Sequence, residues 1–246
     1  MQRRAWHNLQ QGMDAFHFYS LPHVLALLAI ALLTALFVQA GRRLPENTPE
    51  RFAAALAVIN LILSLVAYGW WLLPPQLDYA TTLPLQLCHL TALVASAALL
   101  TRRRSLRALL YFWGFGLSTQ ALLTPSLGDP PSSIWFWAFW AQHGFIVAAA
   151  TYDIAVRKFR PSWRDYWLVC RLTLLYALAV SSINLRIGAN YGFVGNSRPE
   201  TPSIIDLLGP WPQRLVVMVL IAAAAMALLM LPWAVARRCK RRTATA

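Results

Sequence analysis

A thiol, an imidazole and an amide stand almost side by side at Cys88, His89 and Gln86. The residues around them, from Leu83-Pro84-Leu85 through to Leu100, are otherwise fit only for lipid or a buried core. A polar cluster in such a setting is costly, so partners from other helices satisfy it or function retains it. Cys88 is a nucleophile only as thiolate, and an apolar environment opposes an isolated anion, so the chemistry requires a base. His143, inside another apolar run, supplies one if the two segments touch. The ordinary alternative for Cys88 is a small buried hydrophobe. For His143 it is a packing contact or the lining of a water-filled cavity. His89 is rotated by about 100° from Cys88 on a helix and reads as an interhelical hydrogen-bonder.

Six further residues fall where an apolar chain should reject them. His23 lies near the start of the first apolar segment, Gln120 near the end of the fourth and Asn184 near the end of the sixth; Asn190 follows in a connection. Gln120 or Asn184 could orient an imidazole or donate to an oxyanion, against the commoner role of hydrogen bonding between helices. Arg171, within the sixth segment, should face the bundle interior or a cavity and hold a lipid phosphate or an ion pair. Asp206 sits in an apolar stretch stopped by Gly209-Pro210. That pattern predicts a half-helix at the interface, a lid over a cavity, with Asp206 paired to an arginine. His23, His143 and Asp206 have no spacing that specifies a coordination geometry, so neither a metal nor a cofactor is expected.

The elements that must carry these residues are seven apolar segments, each near the ~20 residues a bilayer demands. They run over about 21–40, 52–73, 83–100, 108–124, 134–156, 166–185 and 215–236, and form a single bundle domain. The chain of 246 residues is 58% hydrophobic and 13% charged, about half the charge of a soluble domain. Its net charge of +13 does not read as nucleic-acid binding, because the basic residues flank apolar segments in short clusters. Sixteen of them, from Arg42 to Arg242, fall on one side of the alternation. Only Arg3, Arg4, Arg186, Arg198 and Arg214 fall on the other. This bias predicts an outer N-terminus and a cytoplasmic C-terminus in the cell membrane. Cys88, His143, Gln120, Asn184 and His23 then share the outer half. The three cysteines show neither metal-ligand spacing nor a disulfide framework. A nucleotide motif is missing, which argues against an ATP-driven pump.

The ordered motifs Leu83-Pro84-Leu85-Gln86-Leu87-Cys88, Tyr111-Phe112-Trp113-Gly114, Gln120-Ala121-Leu122-Leu123-Thr124-Pro125, His143-Gly144, Asn190-Tyr191 and Ser203-Ile204-Ile205-Asp206-Leu207-Leu208-Gly209-Pro210-Trp211-Pro212 span nearly the whole chain. Together they resemble the YwaF-like bacterial integral membrane proteins. That family is similar to the eukaryotic transmembrane protein 164, a lipid acyltransferase. The resemblance implies that Cys88 and His143 form a catalytic pair, the thiol carrying an acyl chain as a thioester and the imidazole acting as base, then acid. It also implies that membrane phospholipids are the partners. The alternatives from the residues alone are a lipid- or small-molecule-binding protein or transporter using the same cavity, and a hydrolase that passes the thioester to water.

Overall fold

The computed structural model describes residues 19–43, 45, 48–125, 127, 129–196 and 207–244, with 238–244 as backbone only. Among these residues the structure is all helical. Seven long elements follow in order: α1 (Leu21–Arg43), α2 (Thr48–Trp71), α3 (Leu87–Thr101), α4 (Arg104–Trp113), α5 (Ile134–Ala155), α6 (Trp163–Ile187) and α7 (Gln213–Leu228). A terminal helix, α8 (Leu231–Ala244), ends the chain.

Four stretches are long and apolar enough to cross a membrane: α1, α2, α6 and the run Gln213–Arg237 that joins α7 to the start of α8. Only 11–28% of their most apolar windows is buried within the protein, so each offers an apolar face outward. Such surfaces suit lipid far better than water. The three helices that fall short are the inner ones. In α3 every residue before Leu100 is at least partly buried, packed against α2, α4 and α5. A helix surrounded by other helices need not be apolar all round or span the full bilayer, which explains its 15 residues. Small side chains set its close approach: Ala92, Ala95, Ser96 and Ala98 on α3 meet Ala53 and Ala57 on α2 and Ala149 and Ala150 on α5 in the buried core. Asn60 of α2 ties the pair further, donating to Ser96 Oγ at 2.8 Å and Ala92 O at 3.2 Å.

Three segment boundaries depart from the sequence expectation. Residues 83–86 are not helical, so Pro84 precedes α3 instead of occupying its first turn. The backbone there is satisfied from outside: the Tyr191 hydroxyl accepts from Leu83 N at 2.8 Å, and the Tyr176 hydroxyl donates to Leu85 O at 2.8 Å. The fourth segment starts at Arg104, two residues beyond α3, then loosens into a π-helical turn (Gly114–Ser118) and a short helix (Gln120–Leu123). The seventh breaks at Leu229, whose carbonyl accepts a 2.8 Å hydrogen bond from Tyr111.

Charge concentrates at one end of the bundle, where four arginines pair with three acids among the described residues. Arg107 of α4 binds both carboxylate oxygens of Asp153 on α5, at 2.9 and 3.0 Å. Arg104 binds Asp165, the capping-box residue of α6, at 2.6 and 3.0 Å. Arg157 and Arg102 converge on Glu50 at 2.5 and 2.6 Å. Acids from three separate helices thus knit the arginine-rich end together.

Candidate functional site at the start of α3

His143 lies midway along α5 and is 2% exposed. Its Nδ1 is 2.8 Å from the carbonyl of Phe139, one turn earlier. A carbonyl can only accept, so Nδ1 carries the proton and the neutral ring presents a lone pair at Nε2. That Nε2 is buried and meets no hydrogen-bond partner among the described residues. The local sequence builds this arrangement. Gly144 lets α1 close against α5, since a Cβ there would stand 2.9 Å from Ile30. The Phe139 ring backs the imidazole at 4.2 Å between centroids.

The second imidazole belongs to His89. It stacks against Tyr68 of α2 at 4.8 Å, while the Tyr68 hydroxyl donates to the His89 carbonyl at 3.3 Å. Its Nδ1 is also buried without a partner among the described residues.

Cys88 is the second residue of α3, not one already a turn and a half into a span. Among the described residues no hydrogen bond joins Cys88 to His143. Their elements do touch, because α3 packs along α5. Gln86 gives α3 no side-chain cap, since its Oε1 accepts instead from Gly192 N at 2.9 Å. The N–H groups of His89 and Leu90 donate to the Gln86 carbonyl, at 3.0 and 3.3 Å, which leaves those of Leu87 and Cys88 at the opening of the helix.

A bracket of loops holds this helix start in position. Tyr191, 1% exposed, reaches with its hydroxyl to Leu83 N and to Tyr79 O at 3.0 Å. Its backbone is gripped by Asn184, which accepts from Tyr191 N at 3.0 Å and donates to Tyr191 O at 2.9 Å. Asn190 Oδ1 accepts from Gly195 N at 2.9 Å and closes the same loop. The loop carrying Tyr79 is itself pinned. The Ala80 N–H, then the Thr81 hydroxyl, hold the exposed Asp78 carboxyl below the usual carboxylate range.

Several predicted site residues stand elsewhere. Asn184 holds the Tyr191 backbone, and Asn190 Oδ1 that of Gly195. Gln120 is exposed, and its amide donates to Thr124 Oγ1 at 3.2 Å within its own turn. Arg171 faces outward instead of into the bundle; its Nε donates to Trp167 O at 3.3 Å, and its long stem lies along the apolar surface of α6. His23 is fully buried, with Nδ1 accepting from Tyr19 N at 2.9 Å and Nε2 2.8 Å from Leu122 O. Nε2 thus ties α1 to the Gln120–Leu123 helix, while Nδ1 holds the backbone just before α1. Trp140, itself buried, packs at 5.3 Å from His23. Asp206 and its expected half-helix lie outside the described residues. So do the N-terminal residues 1–18.

Two of the motifs that carry the resemblance, Leu83–Cys88 and Asn190-Tyr191, meet at the start of α3, and comparison with known proteins agrees. A model of the TMEM164 family matches residues 18–230. The chain belongs to the TMEM164 family. An uncharacterized protein of Treponema pallidum (strain Nichols) is 31% identical over 193 residues, covering 76% of this chain and 78% of that protein. No solved structure matches. Within this TMEM164-family chain, sequence reading took His89 for an interhelical hydrogen-bonder and gave no role to Tyr68 and Tyr176, which reach the His89 and Leu85 carbonyls from far away in sequence.

Proposed function

We propose that this membrane protein is a cysteine-dependent lipid acyltransferase, crossing the bacterial cytoplasmic membrane seven times with its N-terminus outside. The carrying observation is the buried Nε2 lone pair of His143, fixed by the Phe139 carbonyl, on a helix packed against the one that opens with Cys88. In the reaction, His143 Nε2 takes the Cys88 proton and the thiolate attacks an ester carbonyl of a phospholipid. Developing negative charge on oxygen falls toward the Leu87 and Cys88 N–H groups at the opening of α3, where a helix N-terminus favours an anion. Collapse breaks the acyl C–O bond, and His143 returns the proton to the leaving alkoxide as lysophospholipid departs. The thioester then passes its acyl chain to an acceptor hydroxyl. Contact of thiol and base is expected with substrate bound, as catalytic hydrogen bonds commonly tighten only then.

The basic clusters support the orientation, because the Glu50, Asp153 and Asp165 partners leave Arg42, Arg43, Arg51 and Arg103 on the same side for anionic headgroups. The test of the chemistry is the mass of the purified protein after incubation with phosphatidylcholine vesicles. An acyl increment is expected on the wild type and none on Cys88→Ser. Phospholipid turnover without any increment on wild type would sink the thioester route.

A further inference from the structure

We infer that Ser118, on the π-helical turn, braces the open side of the His143 ring, its hydroxyl joined to Nε2 through one enclosed water. The use of this brace in chemistry rests on the acyl-transfer reading above; the contact itself does not. Ser118 is 4% exposed and His143 2%. Ser118 Oγ and His143 Nε2 are both buried, and neither has a hydrogen-bond partner among the described residues. Buried orphans of this kind are rare and costly, and a water commonly satisfies them. The orphan hydroxyl has a local cause. Thr91, Thr119, Thr151 and Thr173 each donate to the carbonyl four residues back, at 2.6 to 2.8 Å. Ser118 closes the Gly114–Ser118 turn, where a π-type carbonyl reaches for the N–H five residues on and is drawn away from the hydroxyl.

Three contacts fix the register of this stretch against α5. At one end Arg107 binds Asp153. One level further, a Cβ on Gly114 would meet Ile146 Cγ2 at 3.3 Å and Ala150 Cβ at 3.5 Å. At the other end Leu122 O lies 2.8 Å from His23 Nε2, and the His23 ring lies 5.3 Å from that of Trp140. The two stretches therefore run antiparallel. Ser118, midway between Gly114 and Leu122, stands level with His143, midway between Trp140 and Ile146. Their facing follows from the same contacts. Gly116 turns to α7, where a Cβ would meet Leu229 at 3.3 Å and Met226 at 3.6 Å. Two residues on, Ser118 is back on the Gly114 side, toward α5. His143 precedes Ile146 by three residues and Ala150 by seven, so it shares the stripe of α5 that Gly114 touches.

No direct hydrogen bond joins the two side chains among the described residues. One water that donates to Nε2 and accepts from the Ser118 hydroxyl completes both. With Nδ1 held by the Phe139 carbonyl, the ring is then pinned at both nitrogens. When Nε2 takes a proton, the water turns to accept from it and to donate to Ser118 Oγ, so the same brace serves base and acid. Ser118 gains and loses no proton; it is a positioning residue.

The test reads the ring nitrogen and the reaction separately. Full-length protein carrying isotope-labelled histidine, in detergent micelles, gives a nitrogen NMR signal for His143 Nε2, identified by its loss in His143→Gln. An unprotonated ring nitrogen that accepts a hydrogen bond resonates upfield of one that does not. Wild type should show the upfield position and magnetisation transfer from water. Ser118→Ala should move the signal downfield and lose the transfer, with its thermal unfolding midpoint unchanged. Acyl loading from dioleoylphosphatidylcholine vesicles, followed by intact mass, should slow about fivefold in Ser118→Ala, the scale of one lost hydrogen bond. A nitrogen signal that Ser118→Ala leaves in place means that Ser118 only packs; that result overturns the inference while leaving acyl transfer standing. A wild-type signal at the free position, or without transfer from water, overturns it equally. If the nitrogen behaves as expected but loading keeps its wild-type rate, the positioning role falls. A wild type that never acquires an adduct removes the acyl-transfer reading and the positioning role with it, while the nitrogen signal still decides the contact.

Discussion

A cysteine one residue from a histidine reads on paper as a compact pair, yet the helix turns the two side chains onto different faces. The structure sets His89 against Tyr68 of α2 and leaves Cys88 at the opening of α3. Residue types at the site were legible because a hydrophobic segment makes any polar group conspicuous. Their partners were not, since a hydrogen bond to a backbone carbonyl leaves no mark in side-chain chemistry. His23 illustrates this best, being as conspicuous as His143 but with both nitrogens committed to the fold. At the same scale, Gly192 has φ +63°, and a Cβ there would meet the Tyr176 hydroxyl at 2.6 Å. Gly192→Ala is expected to lower stability by about 1–3 kcal/mol, through left-handed backbone strain and displacement of Tyr176 from Leu85. Thermal unfolding in detergent checks this; an unchanged midpoint would mean that the Tyr191 loop does not brace the start of α3.

At the scale of elements, apolar runs and proline positions located the helices well, and their ends poorly. The segment 83–86 has the composition of a helix start, but Tyr176, Tyr191 and Gly192 bind its backbone or side chains from elsewhere in the chain. Distant loops thereby override local propensity. The acids were equally hard to interpret. Asp153 near the end of α5 is 3% exposed at its side chain and Arg107 18%, so their pair is largely desolvated. Removing one partner strands a buried charge, and Asp153→Ala should cost roughly 3–5 kcal/mol. Charge-conserving Asp153→Glu should cost less. Chemical denaturation in mild detergent distinguishes the two; equal, small losses would show that water solvates Arg107 freely at this end of the bundle.

For the whole molecule, alternating basic clusters suggested which ends of the segments lie together, and paired arginines do gather at one end. Seven segments were drawn, whereas four stretches meet the length and hydropathy of membrane crossings. The difference is physical: outer helices advertise themselves by apolarity, while α3, α4 and α5 are shielded by neighbours and can carry His89, Arg107, His143 and Asp153. With the N-terminus outside, a cysteine introduced at Asn196 should react with an impermeant maleimide in intact cells, and one at Arg103 only after lysis. The reverse pattern would invert the orientation and move the Cys88 end to the cytoplasmic leaflet. The most direct test of the central claim is peptide mapping by mass spectrometry of protein incubated with phosphatidylcholine vesicles. The account predicts a hydroxylamine-labile acyl group on the peptide containing Cys88, lost in Cys88→Ser and slow to form in His143→Ala. An adduct on Cys170 instead, or none on any cysteine while lipid is turned over, would contradict it.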